Sequence, residues 1–155
     1  MSKQTEVVPF SPEYAPTFAA LNRRWIEQFF TLEEPDRIAL EDPYGTIITP
    51  GGQIFFAVAE GRPMGTCAVI RESETVFELA KMAVDPEAQG RGYGNLLIQA
   101  ALDFARQAGA RKVILLSNSK LTPALSLYAK HGFRHVPVDD SHGYVRADVR
   151  MELDL

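Results

Sequence analysis

Cysteine is nearly absent from this chain of 155 residues. Cys67 is the only one, which excludes an intrachain disulfide and a metal cluster built on thiolates. It lies in an apolar stretch that we predict as a strand, where a small buried side chain is the simplest interpretation. The alternative is a nucleophile that carries a covalent intermediate, but no histidine close to it in sequence would activate the thiol.

Long apolar runs are also missing. No stretch approaches the length that a transmembrane helix needs, and the first ten residues contain no apolar signal core. We therefore expect a cytoplasmic protein that has no membrane partner.

An excess of basic residues is missing as well. The 16 basic and 20 acidic residues give a formal net charge of −4, and no basic stripe or helix-turn-helix pattern is present. We therefore expect no nucleic-acid partner. Any attraction for phosphate groups must be local.

The sequence does contain enough apolar residues for one core. Hydrophobic residues make up 46% of the chain, and no internal repeat divides it. A chain of 155 residues leaves no room for a second domain of ordinary size. We predict a single domain over residues 1–155.

The most informative stretch is a glycine-rich turn between a strand and a helix. Thr75 to Val84 is rich in β-branched and aromatic residues, and Asn95 to Gln107 has apolar residues at helical spacing. Between them stands Gln89-Gly90-Arg91-Gly92-Tyr93-Gly94. Glycines let the backbone approach a ligand, and the N–H groups at a helix start attract anions. The sequence therefore predicts a phosphate site here, unless the glycines only shape the turn.

The spacing of these glycines excludes two common phosphate motifs. The dinucleotide fingerprint G-x-G-x-x-G fails because Asn95 stands where the third glycine is needed. A Walker-type loop fails because no lysine follows the glycines.

Gln89-x-x-Gly92-x-Gly94 resembles instead the pyrophosphate-binding motif of the GNAT superfamily of N-acetyltransferases. The Met-Ala-Val-Asp-Pro run at 82–86 and the segment Tyr128-Ala-Lys-His-Gly-Phe133 look like this family's fourth strand and its fourth helix with the strand after it. The resemblance implies acetyl-CoA as co-substrate, no metal, and direct transfer of an acetyl group to a primary amine of a small molecule or peptide. A catalytically silent coenzyme A binding module that senses or scaffolds is the rival hypothesis.

The predicted elements follow the order βααβββαβαββ. Strands are predicted at Glu6–Phe10, Gln53–Ala59, Met64–Ile70, Thr75–Val84, Lys112–Ser117, Phe133–Val136 and Val145–Leu153, and helices at Glu13–Phe30, Pro35–Leu40, Asn95–Gln107 and Pro123–His131. This order resembles the GNAT-like acyl-CoA N-acyltransferase fold, an α/β (α+β) fold with one mixed sheet. The resemblance implies that the fourth and fifth strands splay apart to admit the coenzyme.

The resemblance also implies the residues that hold the coenzyme. The pantetheine arm would bond to the main chain of the fourth strand, and the diphosphate would lie on the turn; the residues concerned are Met82, Ala83, Val84, Gln89, Gly90, Arg91, Gly92, Tyr93, Gly94 and Asn95. The family often has asparagine at the position of Leu121, so Asn118 is a candidate to replace it, and Lys120 is a candidate to approach a phosphate. Asn118 at a strand end has a simpler interpretation, a chain turn.

Glu78 is the candidate general base. It is a charged residue in the otherwise apolar Phe77-Glu78-Leu79-Ala80, where unpaired burial is costly, and several family members carry their base on this strand. Strict alternation puts Glu78 on one face with Ala80 and Met82 and puts Lys81 on the other, unless a bulge changes the parity. The alternative is a structural, salt-bridged carboxylate.

Tyr128 is the candidate general acid. The family segment that it resembles places a tyrosine at the coenzyme sulfur, and a phenol is protonated at neutral pH. The alternative is an aromatic ring that packs on the sheet.

For the acceptor amine the resemblance implies a site lined by the first two helices and the loop before the last strand. Trp25, Phe29, Glu33, Asp139 and Tyr144 are the candidates, with Glu34 and Asp140 as further acids that would suit a cationic amine. The alternative for these acids is simple solvation in loops.

Two further predictions concern metal and assembly. His131 and His135 have a metal-like spacing, but Gly132 breaks the helix between them, so we expect no metal site. A homodimer that pairs the strand-rich segment Tyr144 to Leu155 of two chains is possible on fold-level analogy alone.

Overall fold

The computed structural model describes residues 5–139 and 144–155 and contains one seven-stranded mixed sheet. Its strands are β1 (Thr5–Pro9), β2 (Gln53–Ala59), β3 (Arg62–Arg71), β4 (Val76–Val84), β5 (Lys112–Ser117), β6 (Arg134–Val136) and β7 (Val149–Asp154). The spatial order is β1-β2-β3-β4-β5-β7-β6, and of these neighbours only β4 and β5 are parallel.

Four α-helices cover the sheet. They are α1 (Ala15–Phe29), α2 (Glu34–Glu41), α3 (Tyr93–Gln107) and α4 (Thr122–Lys130). Short 3-10 turns occupy Pro12–Tyr14 and Pro86–Ala88, and one π-helical turn occupies Tyr44–Ile48. The predicted mixed sheet and element order are confirmed.

Each face of the sheet carries its own apolar core. On one face, Leu97 and Ala101 of α3 pack with Phe77 and Leu79 of β4. This arrangement follows from the helical spacing of apolar residues in α3 and from the alternation in β4. On the other face the core is formed by Phe18, Leu40, Ile47, Ile54, Phe56 and Ala68, which come from α1, α2, the π turn and strands β2 and β3. Burial of a side chain such as Phe18, which is 0% exposed, contributes about 2–3 kcal/mol to this layer.

Strands β4 and β5 separate after a short paired stretch. They pair only from Val76 to Glu78 on β4 and from Lys112 to Ile114 on β5. Beyond Ile114, β5 stays bonded to β7, while the β4 edge from Leu79 to Val84 has no strand partner on that side among the described residues. Unpaired main-chain groups along a strand edge are a template for an added extended chain. The predicted splay is therefore confirmed.

A β-bulge in β4 changes which side chains share a face. Ala68 pairs with Ala80 but Thr66 pairs with Ala83, so β4 contains one extra residue at this point. Lys81 lies in the bulge with φ +53, a left-handed conformation that is unusual for a residue other than glycine. Lys81 consequently contacts α2 on the same side as Glu78 and Ala80, while Met82 packs with the α3 core. The placement given by strict alternation, with Lys81 on the opposite face and Met82 beside Glu78, is wrong.

The last strand begins later than predicted. We predicted Val145–Leu153, whereas β7 starts at Val149. Side chains hold the preceding residues as a loop: Asp148 accepts hydrogen bonds from the N–H and the Oγ of Ser119, each at 2.8 Å, and Asn118 Nδ2 donates to the Arg146 carbonyl at 2.6 Å. These bonds replace the ladder that a strand would form there.

Strand β7 lies inside the sheet. It pairs with β5 along one edge and with β6 along the other, so its main-chain groups are used within the chain. The outer strands are β1 and β6. A homodimer formed by pairing β7 with its copy thus gains no support from this arrangement.

None of the helices in the two described ranges is long and apolar enough to cross a membrane.

Candidate active site

A cavity of about 660 Å³ lies where β4 and β5 separate. Helix α1 forms one wall, the turn before α3 and the start of α4 form the others, and the unpaired edge of β4 forms the floor. The volume is in the range of sites that hold small molecules and cofactors. The cavity joins two regions, the glycine-rich turn at one end and an aromatic region beside α1 at the other.

The glycine-rich turn presents an open main chain to the cavity. Gly90 and Gly92 both have φ +82, and a Cβ added at either would meet no atom within 4 Å. Gly92 caps α3 in the left-handed conformation, and within the described residues no side-chain hydrogen bond caps that helix. The predicted residues that line the cavity here are Gln89, Gly90, Gly92, Tyr93, Gly94 and Asn95, whereas Arg91 stays outside the lining. Free N–H groups at a helix start suit a phosphate.

Gly94 has a different role from the other two glycines. A Cβ at Gly94 would lie 2.8 Å from Leu127 Cδ2. The missing side chain therefore lets the first turn of α3 approach α4 closely. Two glycines shape the turn, and the third serves helix packing.

The predicted coenzyme residues of β4 lie on the cavity floor. Met82, Ala83 and Val84 all line it. The Val84 carbonyl accepts a hydrogen bond of 3.4 Å from Gln89 Nε2, which fixes the turn to the end of the strand.

Tyr128 lines the same cavity from α4. Its ring contacts Phe133 edge to face, with 6.1 Å between centroids. Burial, and secondarily the nearby Cys67, raises the pKa of the phenol well above its usual value. Tyr128 therefore carries its proton at neutral pH, and it both packs on the core and borders the cavity.

Glu78 lies at the point where the two strands separate. It pairs with Ile70 of β3 and with Ile114 of β5, and it is partly buried. Burial first, and then the hydrogen bond and charge of Glu72, raise the pKa of Glu78 to about 8, against the opposing charges of Lys81 and Arg150. Its side chain is not part of the cavity lining, although its neighbours Leu79 and Ala80 are.

The side chain of Asn118 is already engaged at the end of β5. Its Nδ2 donates to the Arg146 carbonyl, and its Oδ1 accepts from the Lys120 N–H at 2.8 Å. Both bonds serve the chain turn that was the alternative interpretation, although Asn118 also lines the cavity. Lys120 lines the cavity with its Nζ 5.9 Å from the centroid of the Phe30 ring.

The predicted acceptor residues divide into two groups. Trp25, Phe29 and Tyr144 line the cavity. Glu33 and Asp139 do not: Glu33 accepts hydrogen bonds from the N–H groups of residues 145 and 146 at 2.9 and 3.3 Å, so it fastens the loop before β7 to α2. Asp140 lies outside the described residues.

A buried ionic cluster stands behind the aromatic end of the cavity and was not predicted. We call Asp36, Lys81, Tyr144 and Arg146 the Asp36 cluster. Asp36 is 0% exposed and accepts from Arg146 Nη1 and Nη2 at 2.6 and 2.7 Å and from Lys81 Nζ at 2.5 Å. Lys81 Nζ also lies 3.1 Å from the Tyr144 hydroxyl. Burial alone would raise the pKa of Asp36, but the hydrogen bonds from Arg146 and Lys81 outweigh it and lower the pKa to about 2.

Only part of this cluster left a signal in the sequence. Asp36 is the third residue of α2 and completes a capping box with Glu33, a pattern that can be read from spacing. Lys81 reaches Asp36 only because of the bulge. Arg146 lies in a segment that we predicted as strand, and no motif marks it.

The described residues contain no group of three or more His, Cys, Asp or Glu side chains that could hold a metal ion. His131 Nε2 lies 2.9 Å from Asn95 Oδ1 and so connects the end of α4 to the start of α3.

Known structures share this fold. A GNAT-family acetyltransferase from Staphylococcus aureus Mu50 superposes with a TM-score of 0.89 at 18% identity, covering 98% of this chain and 99% of that one. The PaiA N-acetyltransferase of Thermoplasma acidophilum, solved in complex with coenzyme A, superposes with a TM-score of 0.77 at 19% identity, covering 98% and 99%. At these identities the similarity shows the fold.

Curated relatives share part of the sequence. The N-acetylaspartate synthetase of Xenopus tropicalis is 33% identical over 94 residues, which are 60% of this chain and 35% of that protein. The mycothiol acetyltransferase of Saccharomonospora viridis is 38% identical over 79 residues, which are 51% of this chain and 22% of that protein. The chain thus corresponds to well under half the length of these relatives.

A family model matches most of the chain. The model of the Acetyltransferase (GNAT) family covers residues 16–133, from α1 to the segment just after α4, and so contains both the glycine-rich turn and Tyr128. Together with the splayed sheet and the cavity at its opening, this match confirms the resemblance seen in the sequence: the chain belongs to the Acetyltransferase (GNAT) family.

Proposed function

We propose that the protein is an acetyl-CoA-dependent N-acetyltransferase that acts on a primary amine of a small molecule or peptide by direct transfer in a ternary complex. One observation carries the proposal: a single cavity connects the open glycine-rich turn, the unpaired edge of β4, Tyr128 and an aromatic region beside α1. Such a cavity has room for a donor at one end and an acceptor at the other. The relatives named as acetyltransferases support it.

The chain fits the coenzyme at two places. The open turn at Gly90 and Gly92 leads into the uncapped N-terminus of α3, which suits a diphosphate. The edge of β4 from Leu79 to Val84 offers main-chain donors and acceptors to an extended amide chain such as pantetheine. The coenzyme A complex of the Thermoplasma acidophilum protein supports this fit for the fold.

Acetyl-CoA would supply an activated thioester, and the chain would supply proton transfer and orientation. An ammonium must lose its proton before it attacks, and Glu78 is our candidate to take that proton, directly or through water. Its side chain lies outside the cavity lining beside Leu79 and Ala80, which favours transfer through water. The bulge at Lys81 breaks the β3 to β4 ladder, so main-chain N–H groups there are candidates to stabilise charge on the thioester oxygen. Tyr128 would return a proton to the leaving sulfur.

Direct transfer is favoured over a covalent acetyl-cysteine. Burial raises the pKa of the Cys67 thiol to about 12, so the reactive thiolate is scarce at neutral pH. Its Sγ lies 3.6 Å from the Leu97 carbonyl inside the α3 core, and Cys67 is not among the residues that line the cavity.

Two measurements on the purified protein test the proposal. Calorimetry with acetyl-CoA should show saturable binding, and release of free coenzyme thiol should depend on an added amine, with the acetylated amine identified by mass. Binding without release for any amine would point to the silent coenzyme-binding module. Absence of binding at millimolar acetyl-CoA would refute both functions.

A further inference from the structure

The acceptor end of the cavity has basic side chains and no acidic ones. Among the described residues that line the cavity, none is aspartate or glutamate, whereas Lys81, Lys120 and Arg146 all contribute. Glu33 and Asp36 lie behind the lining and bind Lys81 and Arg146. A polycationic amine would therefore meet like charges and no carboxylate among the described lining residues.

Arg146 has a pair of donors left for a ligand. A guanidinium has five N–H groups. Asp36 takes one from Nη1 and one from Nη2, and Glu33 accepts a longer bond of 3.4 Å from Nη1. Within the described parts of the chain, no acceptor takes Nε–H or the second Nη2–H, which form one planar edge. Such an edge matches the two oxygens of a carboxylate.

Lys81 adds a second donor beside it. Its Nζ bonds to Asp36 and to the Tyr144 hydroxyl, which accounts for two of its three N–H groups. The Tyr144 ring lies 4.9 Å from both Lys81 Nζ and Arg146 Cζ, so one aromatic ring contacts both cations. The side chains of Lys81 and Arg146 are 6% and 16% exposed, which keeps them rigid and largely desolvated.

An apolar wall lines the same cavity as this pair of cations. Trp25, Phe29 and Phe30 form a cluster with centroids 6.0 to 6.5 Å apart, and all three line the cavity. Phe29 remains 48% exposed, so part of its ring surface is open to solvent. An apolar or aromatic group of a ligand would cover it.

We propose that the acceptor is an amine that also carries a carboxylate and an apolar group, the chemistry of an α-amino acid with an apolar or aromatic side chain. The free edge of Arg146 and the remaining N–H of Lys81 bind the carboxylate, and the wall of Trp25, Phe29 and Phe30 binds the side chain. In the transfer, the acetyl carbon forms a bond to the amine nitrogen and breaks its bond to sulfur, while one amine proton leaves and the sulfur gains one. This inference rests on the proposed function.

The test compares acceptors that differ only in the carboxylate. Thiol release is measured with the L-amino acids, with their amides and with their decarboxylated amines, for example phenylalanine, phenylalaninamide and phenylethylamine, and also with spermidine and with peptides. Because the ammonium pKa differs among these amines, kcat/KM is expressed per unprotonated amine. We expect an apolar amino acid to exceed its amide and its amine by about tenfold or more, the value of one charge-assisted hydrogen bond.

A substitution of Arg146 tests whether its guanidinium binds the carboxylate of the acceptor. Arg146→Lys keeps the charge but loses the planar edge, so KM should rise for both acceptors where the cluster loosens, and by about tenfold more for the amino acid than for its decarboxylated amine. Arg134→Lys is the matched control, since Arg134 pairs with Asp154 at 3.1 Å on the exposed surface away from the cavity. The melting temperature of each variant separates loss of folding from loss of recognition.

The outcomes are distinct. Equal or better rates with amides, decarboxylated amines, spermidine or peptide N-termini overturn the carboxylate inference and leave the acetyltransferase function intact. Equal KM increases for the amino acid and for its decarboxylated amine in Arg146→Lys overturn the role of Arg146 in binding. Absence of thiol release with every amine defeats the proposed function itself, and this inference with it.

Discussion

Burial controls the proton on the two side chains that we propose for proton transfer. For Glu78, burial and the neighbouring Glu72 raise the pKa to about 8, and for Tyr128, burial keeps the phenol protonated. Glu78 is thus a carboxyl group that titrates within the pH range in which the enzyme can be assayed. Tyr128 is a phenol that stays protonated throughout that range. These states fit the roles of base and acid.

Glu78→Gln should abolish the rise of kcat with pH that ionisation of Glu78 causes. In the wild type, kcat should rise as pH increases through about 8, because only the ionised carboxylate accepts a proton. In the variant we expect a lower kcat with that rise absent and an unchanged affinity for acetyl-CoA. A pH profile identical to the wild type would mean that Glu78 is not the base.

The same substitution has a separate effect on stability. The pKa of Glu78 is raised in the folded state, so its contribution to stability is complete below pH about 4.5 and is lost as pH rises through about 8. Urea unfolding between pH 5 and pH 9 should therefore show a smaller loss of stability for Glu78→Gln than for the wild type. This effect is expected even if Glu78 has only a structural role, so it serves as an internal check on the pKa.

Tyr128→Phe should separate chemistry from packing. The ring and its contact with Phe133 are retained, so the melting temperature should change little. Loss of a general acid lowers the rate on the order of 100-fold or more, and we expect that loss in kcat with Kd for acetyl-CoA nearly unchanged. Parallel losses in kcat and coenzyme affinity would instead assign Tyr128 to packing.

At the scale of elements, local sequence predicted the coenzyme end of the site well. Strands β2 and β5 have the predicted bounds, because each is an apolar run between clear breakers. The glycine-rich turn is also contiguous in sequence, so its spacing was sufficient. The end of β7 nearest the site was wrong because side-chain bonds from Asn118 and Asp148 outweigh the β-propensity of Val145.

The acceptor end could not be predicted in the same way. Asp36, Lys81 and Arg146 come from three distant segments, and the ion pairs between them join residues that are 45 and 110 positions apart. The direction of Lys81 depends on a bulge that adds one residue to β4, and alternation alone gives the opposite face. The expectation of an acidic acceptor site failed for Glu33 because its carboxylate binds the loop main chain.

The turn before α3 can be tested with a pair of matched glycines. Gly90 and Gly109 both have positive φ, +82 and +89, and a Cβ at either would meet no atom within 4 Å. Alanine at each should cost a similar backbone strain, roughly 1–2 kcal/mol. Only Gly90→Ala should weaken acetyl-CoA binding in calorimetry, by about tenfold. Alanine keeps the N–H, but relaxation of its strained backbone turns that group away from the diphosphate, and one lost hydrogen bond to a charged group has that value. Equal affinities for the two variants would place the diphosphate elsewhere.

At the scale of the whole molecule, the Asp36 cluster connects parts that the sheet alone leaves apart. It joins α2, the bulge in β4 and the loop before β7, and Glu33 adds a second bond between α2 and that loop. Two of these elements, the bulge in β4 and the loop before β7, line the acceptor end of the cavity together with α1, and α2 holds them from behind. The shape of that end therefore depends on one buried carboxylate.

Asp36→Asn should destabilise the fold in a pH-dependent way. Removing the charge leaves Lys81 and Arg146 without their main partner in a buried place, a loss of about 3 kcal/mol or more. The pKa of Asp36 is lowered to about 2 in the folded state from an ordinary value of 3.8, so its stabilisation is present above pH about 4 and is lost as pH falls toward 2. The difference in free energy of unfolding between wild type and variant, measured by urea titration, should therefore shrink from pH 6 to pH 2.

An exposed aspartate provides the control for that measurement. Asp103 pairs with Arg106 at 3.5 Å on the surface of α3, and Asp103→Asn should cost well under about 1 kcal/mol, because solvent screens such a pair. If Asp36→Asn cost no more than Asp103→Asn at pH 6, the cluster would not hold α2 and the loop against β4. If Asp36→Asn instead lowers the free energy of unfolding strongly, loss of the cluster should also open the acceptor end of the cavity. The KM of the best amine should then rise more than the Kd of acetyl-CoA.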